Sequence, residues 1–208
     1  MTPALLLLAR HGETDWNRER KVQGHTDIPL NEEGRRQAQR LAVRVKGFAI
    51  DALLASDLAR ASETARIVGD ALGMAPVLSP AWREIGLGAL EGIDAPGAHK
   101  DFGELVTAAA RQPGPLAAGA ETFRAFEARI LEGYGALARA HAGKTVLVVS
   151  HGGTLKTLIA HLVGLPAERI ERLSLRANTG LSVIDFRHDR PQLALLNDAR
   201  HLEDRWTS

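Results

Sequence analysis

The stretch Leu5-Leu6-Leu7-Leu8-Ala9-Arg10-His11-Gly12 constrains the fold more than any other. A short apolar run bounded by a charge and a glycine lacks the length of a buried helix and suits a strand covered on both faces. Such strands lie inside open α/β sheets, where ligands bind beyond the strands' carboxyl ends. Arg10 and His11 therefore fall where chemistry is done. A lone Arg-His pair after a strand is usually a surface feature, but a second run repeats the pattern. Thr145-Val146-Leu147-Val148-Val149 ends at Ser150-His151-Gly152-Gly153. Two histidines at two strand ends can converge on one pocket.

Between these strands the periodicity alternates. Residues 13–30 show no helical repeat and read as a long loop, within which His25 is expected to be solvated. Asn31 is placed to cap a helix with Ala38, Leu41, Ala42 and Val45 on its apolar face. Residues 51–55 make a second strand. Asp57 is expected to cap the next helix, whose stripe is Leu58, Ala61, Ala65, Val68 and Leu72, with Gly73 ending it. Residues 76–78 suit a third strand. Phe123, Phe126, Ile130, Tyr134 and Leu137 recover helical spacing, as do Leu155, Leu158, Ile159 and Leu162 before Gly164. Residues 181–186 and 193–196 read as a closing antiparallel pair. The expected architecture is a three-layer α/β/α sandwich with a mostly parallel central sheet. The chain reads as one domain over 1–208, with a small inserted cap region at about 93–120, where Gly, Ala and Pro obscure any pattern.

Composition narrows the function. The 208 residues carry a net charge of +1, which argues against a general nucleic-acid or membrane surface. The absence of cysteine removes disulfides, thiolate nucleophiles and cysteine-ligated metals. The N-terminal leucines lack a basic leader and run straight into Arg10, so a cytoplasmic protein is expected. Arg10, His11, Arg60 in the first turn of its helix, and His151 together suit a compact dianion. Phosphate fits, because the planar guanidinium matches its oxygens and a helix N-terminus favours anions. No P-loop lysine motif appears.

These residues also carry a resemblance. Arg10-His11-Gly12-Glu13-Thr14, Trp16-Asn17, and Gln23-Gly24 with Asp27, Pro29 and Leu30 resemble the opening signature of the histidine phosphatase superfamily, in its phosphoglycerate mutase-like branch. Ser56-Asp57-Leu58 with Arg60-Ala61 and Thr64-Ala65 resembles its second motif, Glu84 with Glu91-Gly92 its third, and Ser150-His151-Gly152-Gly153 its fourth. The resemblance implies a phosphohistidine on His11. Arg10, Arg60 and His151 would hold the phosphoryl oxygens, and Glu84 would serve as proton donor and then base. Asn17, Gln23 and Gly24 would line the phosphate site. It implies no metal and no cofactor, with a small phosphorylated metabolite as partner and a homodimer as a compatible assembly.

The favoured activity is that of a phosphomonoester phosphatase. The alternatives are a 2,3-bisphosphoglycerate-dependent phosphoglycerate mutase and a non-catalytic phospholigand-binding module. Retention of nucleophile and acid argues against the last. Mutases of this branch tend to grip a second anionic group with a Trp-Arg-Arg insertion, whereas residues 93–118 supply only His99, Lys100 and Arg111 as cations. Phosphatases often carry an aromatic before the Glu-Gly pair, where this chain has Ala89-Leu90.

Overall fold

The computed structural model describes residues 2–94 and 102–203. Its centre is a six-stranded sheet of order β3-β2-β4-β1-β5-β6. The strands are β1 (Leu5–Arg10), β2 (Ala52–Ala55), β3 (Val77–Leu78), β4 (Thr145–Ser150), β5 (Leu181–Asp185) and β6 (Gln192–Asp198). β1, β2, β3 and β4 run parallel, and β5 and β6 close the sheet antiparallel, as the sequence suggested.

The alternation along β1 explains the layers. Leu6 and Leu8 point into one core with Val146, Val148 and Ile184, while Leu7 and Ala9 point into the other with Leu147, Val149 and Val183. Among the described residues there are six α-helices, the last five of which cover the two faces. They are α1 (Asp15–Arg18), α2 (Glu32–Val45), α3 (Ala59–Leu72), α4 (Phe102–Ala110), α5 (Phe123–Ala140) and α6 (Gly152–Val163). The second core takes Leu41, Ala42 and Val45 of α2 and Ala61, Ala65 and Val68 of α3. The first takes Leu105 and Val106 of α4, Phe126 and Ile130 of α5, and Leu155 and Leu158 of α6. Connections leaving β1 and β4 thus run to opposite faces, and the two strands are neighbours. That is the topological switch point, where a crevice opens beyond the strand ends.

Local rules account for most helix ends. Asn31 Oδ1 accepts from Gly34 N at 2.8 Å and caps α2. Gly73 and Gly164 end α3 and α6 in the left-handed region. Two expectations need correction. Residues 13–30 are not wholly loop, because Thr14 and Asn17 form a reciprocal capping box around the single turn of α1. Asp57 does not cap α3. The cap position is Leu58, and the orphan N–H of Ala59 is taken instead by Asp27 Oδ1 at 2.6 Å. Asp57 is held in a two-pronged pair with Arg83, at 2.7 and 2.6 Å.

Of the stretch 93–120, His99 and Lys100 lie outside the described residues. Its described part contains α4, whose Leu105, Val106 and Ala109 are buried. Among the described residues, no helix is long and apolar enough to cross a membrane.

Candidate active site

The sheet register lines up the strand ends. Arg10 pairs with Ser150, and Ala55 pairs with Val149. His11, Ser56 and His151 therefore emerge together. His11 N–H donates to the Ser150 carbonyl at 2.9 Å, which extends the β1–β4 ladder by one bond. The His11 side chain is buried, and its Nδ1 lies 2.7 Å from the Gly12 carbonyl. A carbonyl only accepts, so Nδ1 carries the proton and Nε2 keeps a lone pair. Burial, then the charges of Arg60 and Arg10, push the His11 pKa well below its usual value; only the Gly12 bond opposes them. The ring is neutral at physiological pH. Gly12 is itself fixed, since its N–H donates to Thr64 Oγ1 at 3.0 Å.

Arg60 is the most buried of the site's cations, 1% exposed. Its Nε donates to His151 Nδ1 at 3.2 Å, and its two terminal nitrogens donate to the carbonyls of Thr26 (2.9 Å) and Gly24 (2.8 Å). Burial lowers its pKa to about 10, which still leaves it charged at neutral pH. Because His151 Nδ1 accepts from a permanent donor, its Nε2 carries the hydrogen and donates to Ser56 Oγ at 2.9 Å. His151 sits at the N-cap of α6, and its ring centroid lies 5.1 Å from that of His11. Burial, followed by Arg60, holds its pKa well below normal. Arg10 reaches across to the carbonyls of Arg176 (2.7 Å) and Leu175 (3.4 Å).

Glu84 enters from the loop after β3. It is 3% exposed, with Oε1 accepting from Ile85 N and Oε2 from Gly153 N in the first turn of α6, both at 2.9 Å. Burial raises its pKa. The two backbone bonds and the charges of Arg60 and Arg10 pull the other way without cancelling it. A Cβ at residue 153 would run into Glu84 Oε1, so the carboxyl occupies the space that glycine leaves.

Glu91, the neighbouring acid, does different work. Its Oε1 accepts from the backbone of His25 and Leu87, and its Oε2 from the backbone and hydroxyl of Thr26. Burial opposes ionisation, but these bonds hold Glu91 below the usual carboxylate range. It ties down the turn 23–26 that presents two carbonyls to Arg60. Gly24 there has φ +51°, and a side chain would strike the Glu91 carboxylate. Gln23 is buried, and its Oε1 finds no partner among the described residues. Asn17 has its Oδ1 engaged by Thr14 N–H (3.1 Å), which leaves its amide nitrogen as the free end. His25 is not simply solvated, because its Nε2–H donates to the Glu84 carbonyl at 2.7 Å.

The sequence reading missed the floor of the site. Asn178 Nδ2 donates to the His11 carbonyl (3.0 Å) and lies 3.3 Å from Asn17 Oδ1. Thr179 N–H reaches the carbonyls of Arg10 (3.1 Å) and His11 (3.3 Å), with the residue held at φ +56°. That is a strained conformation for a β-branched residue. His201, in a short 3-10 turn after β6, is within 3.0 Å of the Thr179 hydroxyl. The available signal was Asn178-Thr179-Gly180 directly ahead of a strand, a turn-forming run. Among the described residues, no group of three or more His, Asp or Glu is placed to hold a metal.

A neutral strand-end histidine, two arginines and a buried carboxyl thus meet beyond the carboxyl ends of β1 and β4. Residues 6–199 match the histidine phosphatase superfamily (branch 1), and the chain belongs to that family. It is 39% identical over 195 residues to a probable phosphoglycerate mutase GpmB of Yersinia pestis (strain Pestoides F), covering 90% of this chain and 86% of the relative. It is 35% identical over 204 residues to that of Enterobacter sp. (strain 638), covering 94% of each. Among solved structures, a phosphoserine phosphatase mutant from Entamoeba histolytica in complex with phosphoserine superposes with a TM-score of 0.82 at 30% identity, covering 96% of this chain and 99% of the other. Bacillus stearothermophilus YhfR gives 0.83 at 33% identity over the same shares.

Proposed function

We propose that the protein is a metal-independent phosphomonoester phosphatase acting on a small phosphorylated metabolite through a phosphohistidine on His11. The observation that carries this is the Nδ1–Gly12 bond, which leaves His11 Nε2 unprotonated beside two guanidiniums. In the first step Nε2 attacks phosphorus, forming an N–P bond as the bond to the leaving oxygen breaks in line. Arg10, Arg60 and His151 stabilise the charge on the equatorial oxygens, and the free amide end of Asn17 adds a donor. Gln23 and Gly24 shape the phosphate side. Glu84, whose pKa burial raises, gives its proton to the leaving oxygen. The carboxylate so formed takes a proton from water, which attacks phosphorus and releases phosphate and free His11.

Phosphatase neighbours in the fold comparison support hydrolysis. A mutase is the second reading, because the GpmB relatives carry that name. Against it, Arg111, the described cation of 93–118, is turned to the Glu168 carbonyl (3.1 Å) and Glu171 (3.5 Å). The test supplies 3-phosphoglycerate with catalytic 2,3-bisphosphoglycerate, alongside a panel of monoesters. Phosphate release from monoesters with little isomerisation is expected. Fast isomerisation that depends on the bisphosphate, with negligible hydrolysis, would overturn the reading.

A further inference from the structure

Glu84 is carried by a loop with no strand partner, yet an acid must be placed to within a fraction of an ångström. Its carboxyl has two bonds. The Ile85 bond moves with the loop, so Gly153 alone among them ties the carboxyl to α6. The position of the loop backbone therefore decides where the proton sits.

That backbone is wrapped around one side chain. Arg129, two turns into α5, puts Nη1 at 3.1, 3.1 and 2.9 Å from the carbonyls of Pro80, Ala81 and Arg83. Its Nη2 lies 3.1 Å from the Glu84 carbonyl. Glu121 fixes the guanidinium through both oxygens, at 3.2 Å to Nε and 2.8 Å to Nη2, and also accepts from Gly86 N at 3.2 Å. The Phe126 ring lies beneath, 5.3 Å from the guanidinium carbon. Backbone groups on both sides of Glu84 are thus bound to a single ion pair that sits outside the phosphate site. Only a planar, five-donor head can serve several carbonyls and a carboxylate at once; an ammonium has three donors and no plane.

We infer that Arg129, locked by Glu121, is a positioning residue that sets Glu84 for proton transfer to the leaving group. This rests on Glu84 being the leaving-group acid. In the phosphorylation step a displaced acid slows esters with poor alkoxide leaving groups and spares p-nitrophenyl phosphate, whose leaving group scarcely needs a proton. A purely structural role would lower both activities alike.

The test compares kcat/KM, which covers phosphoryl transfer to His11 but not the later attack of water, on glycerol phosphate and p-nitrophenyl phosphate for wild type, Arg129→Met, Arg129→Lys, Glu121→Gln and Glu84→Gln. Arg129→Met should lose on the order of 100-fold in kcat/KM on glycerol phosphate and only a few-fold on p-nitrophenyl phosphate. Arg129→Lys and Glu121→Gln should show the same selectivity, more weakly, and they carry the comparison if the methionine variant fails to fold. Combined with Glu84→Gln, Arg129→Met should add no further selective loss. Uniform losses in the Arg129 variants beside a selective Glu84→Gln would overturn the positioning role alone. A non-selective Glu84→Gln would overturn the acid assignment and the inference with it.

Discussion

Replacing Gly153 with alanine should unseat Glu84 without replacing any ionisable side chain. The added Cβ would fall against Glu84 Oε1, 3.1 Å from its Cδ and 2.6 Å from Val106 Cγ2. Neither neighbour has room, since Val106 is fully buried and Glu84 nearly so. In an open helix, Gly→Ala stabilises by about 1 kcal/mol. Here overpacking costs about 1–3 kcal/mol, and the Gly153–Glu84 bond contributes about 1 kcal/mol more. The net loss is about 1–3 kcal/mol, which in a chain of this size lowers Tm by roughly 3–10 °C. The carboxyl is the softer of the two obstacles, so it moves. A misplaced general acid forfeits part of a contribution of about 10²–10⁴. The assay is kcat/KM on glycerol phosphate relative to p-nitrophenyl phosphate, which isolates the phosphorylation step, with a thermal melt alongside. The ratio should fall at least tenfold. An unchanged ratio with an unchanged or raised Tm would refute the packing argument.

Gly24→Ala should weaken phosphate binding, because it forces φ +51° on a residue with a side chain and pushes on Glu91, disturbing the carbonyl that holds Arg60. Inhibition by inorganic phosphate measures this, and an unaltered inhibition constant would contradict it. Buried His201 is pushed down to about 4 from 6.5, so the unfolded chain takes the proton first as pH falls. That drains stability progressively from about pH 6.5 to pH 4, by up to about 3 kcal/mol at about 1.4 kcal/mol per pKa unit. Urea unfolding at pH 7 and pH 5 should show wild type losing more than His201→Gln, which can still hydrogen-bond the Thr179 hydroxyl; equal losses would remove His201 as the source.

What the sequence displayed was local. β1 and β4 were readable because both of their faces are buried, giving unbroken apolar runs. Arg10, His11 and His151 were readable because they lie at the ends of those strands, and Ser56 because it follows β2 directly. Arg60 and Glu84 were readable through motif spacing. Contacts made with backbone carbonyls were not readable, since any residue supplies a carbonyl. Nothing in the sequence marks Arg129 apart from Arg124 and Arg139 on α5, or Thr179 apart from its neighbours. The Asp57 misassignment has the same root. A cap can come from anywhere in the fold, and Asp27, thirty-two positions before Ala59, supplied it. α1 escaped notice because a single turn has no periodicity to find, and its capping box uses Asn17 where Glu or Gln is the usual signal.

The central claim is that phosphorus passes through His11, and it is tested most directly by trapping the intermediate. Wild type, His11→Ala and His151→Ala would be mixed with a labelled phosphomonoester, quenched in denaturant at alkaline pH within milliseconds, digested and mapped. The account predicts a single acid-labile, base-stable phosphoryl group on the peptide carrying His11. It should be absent in His11→Ala and slow to appear in His151→Ala. A label on any other residue, or near-normal turnover in His11→Ala with no phosphoenzyme, would contradict it.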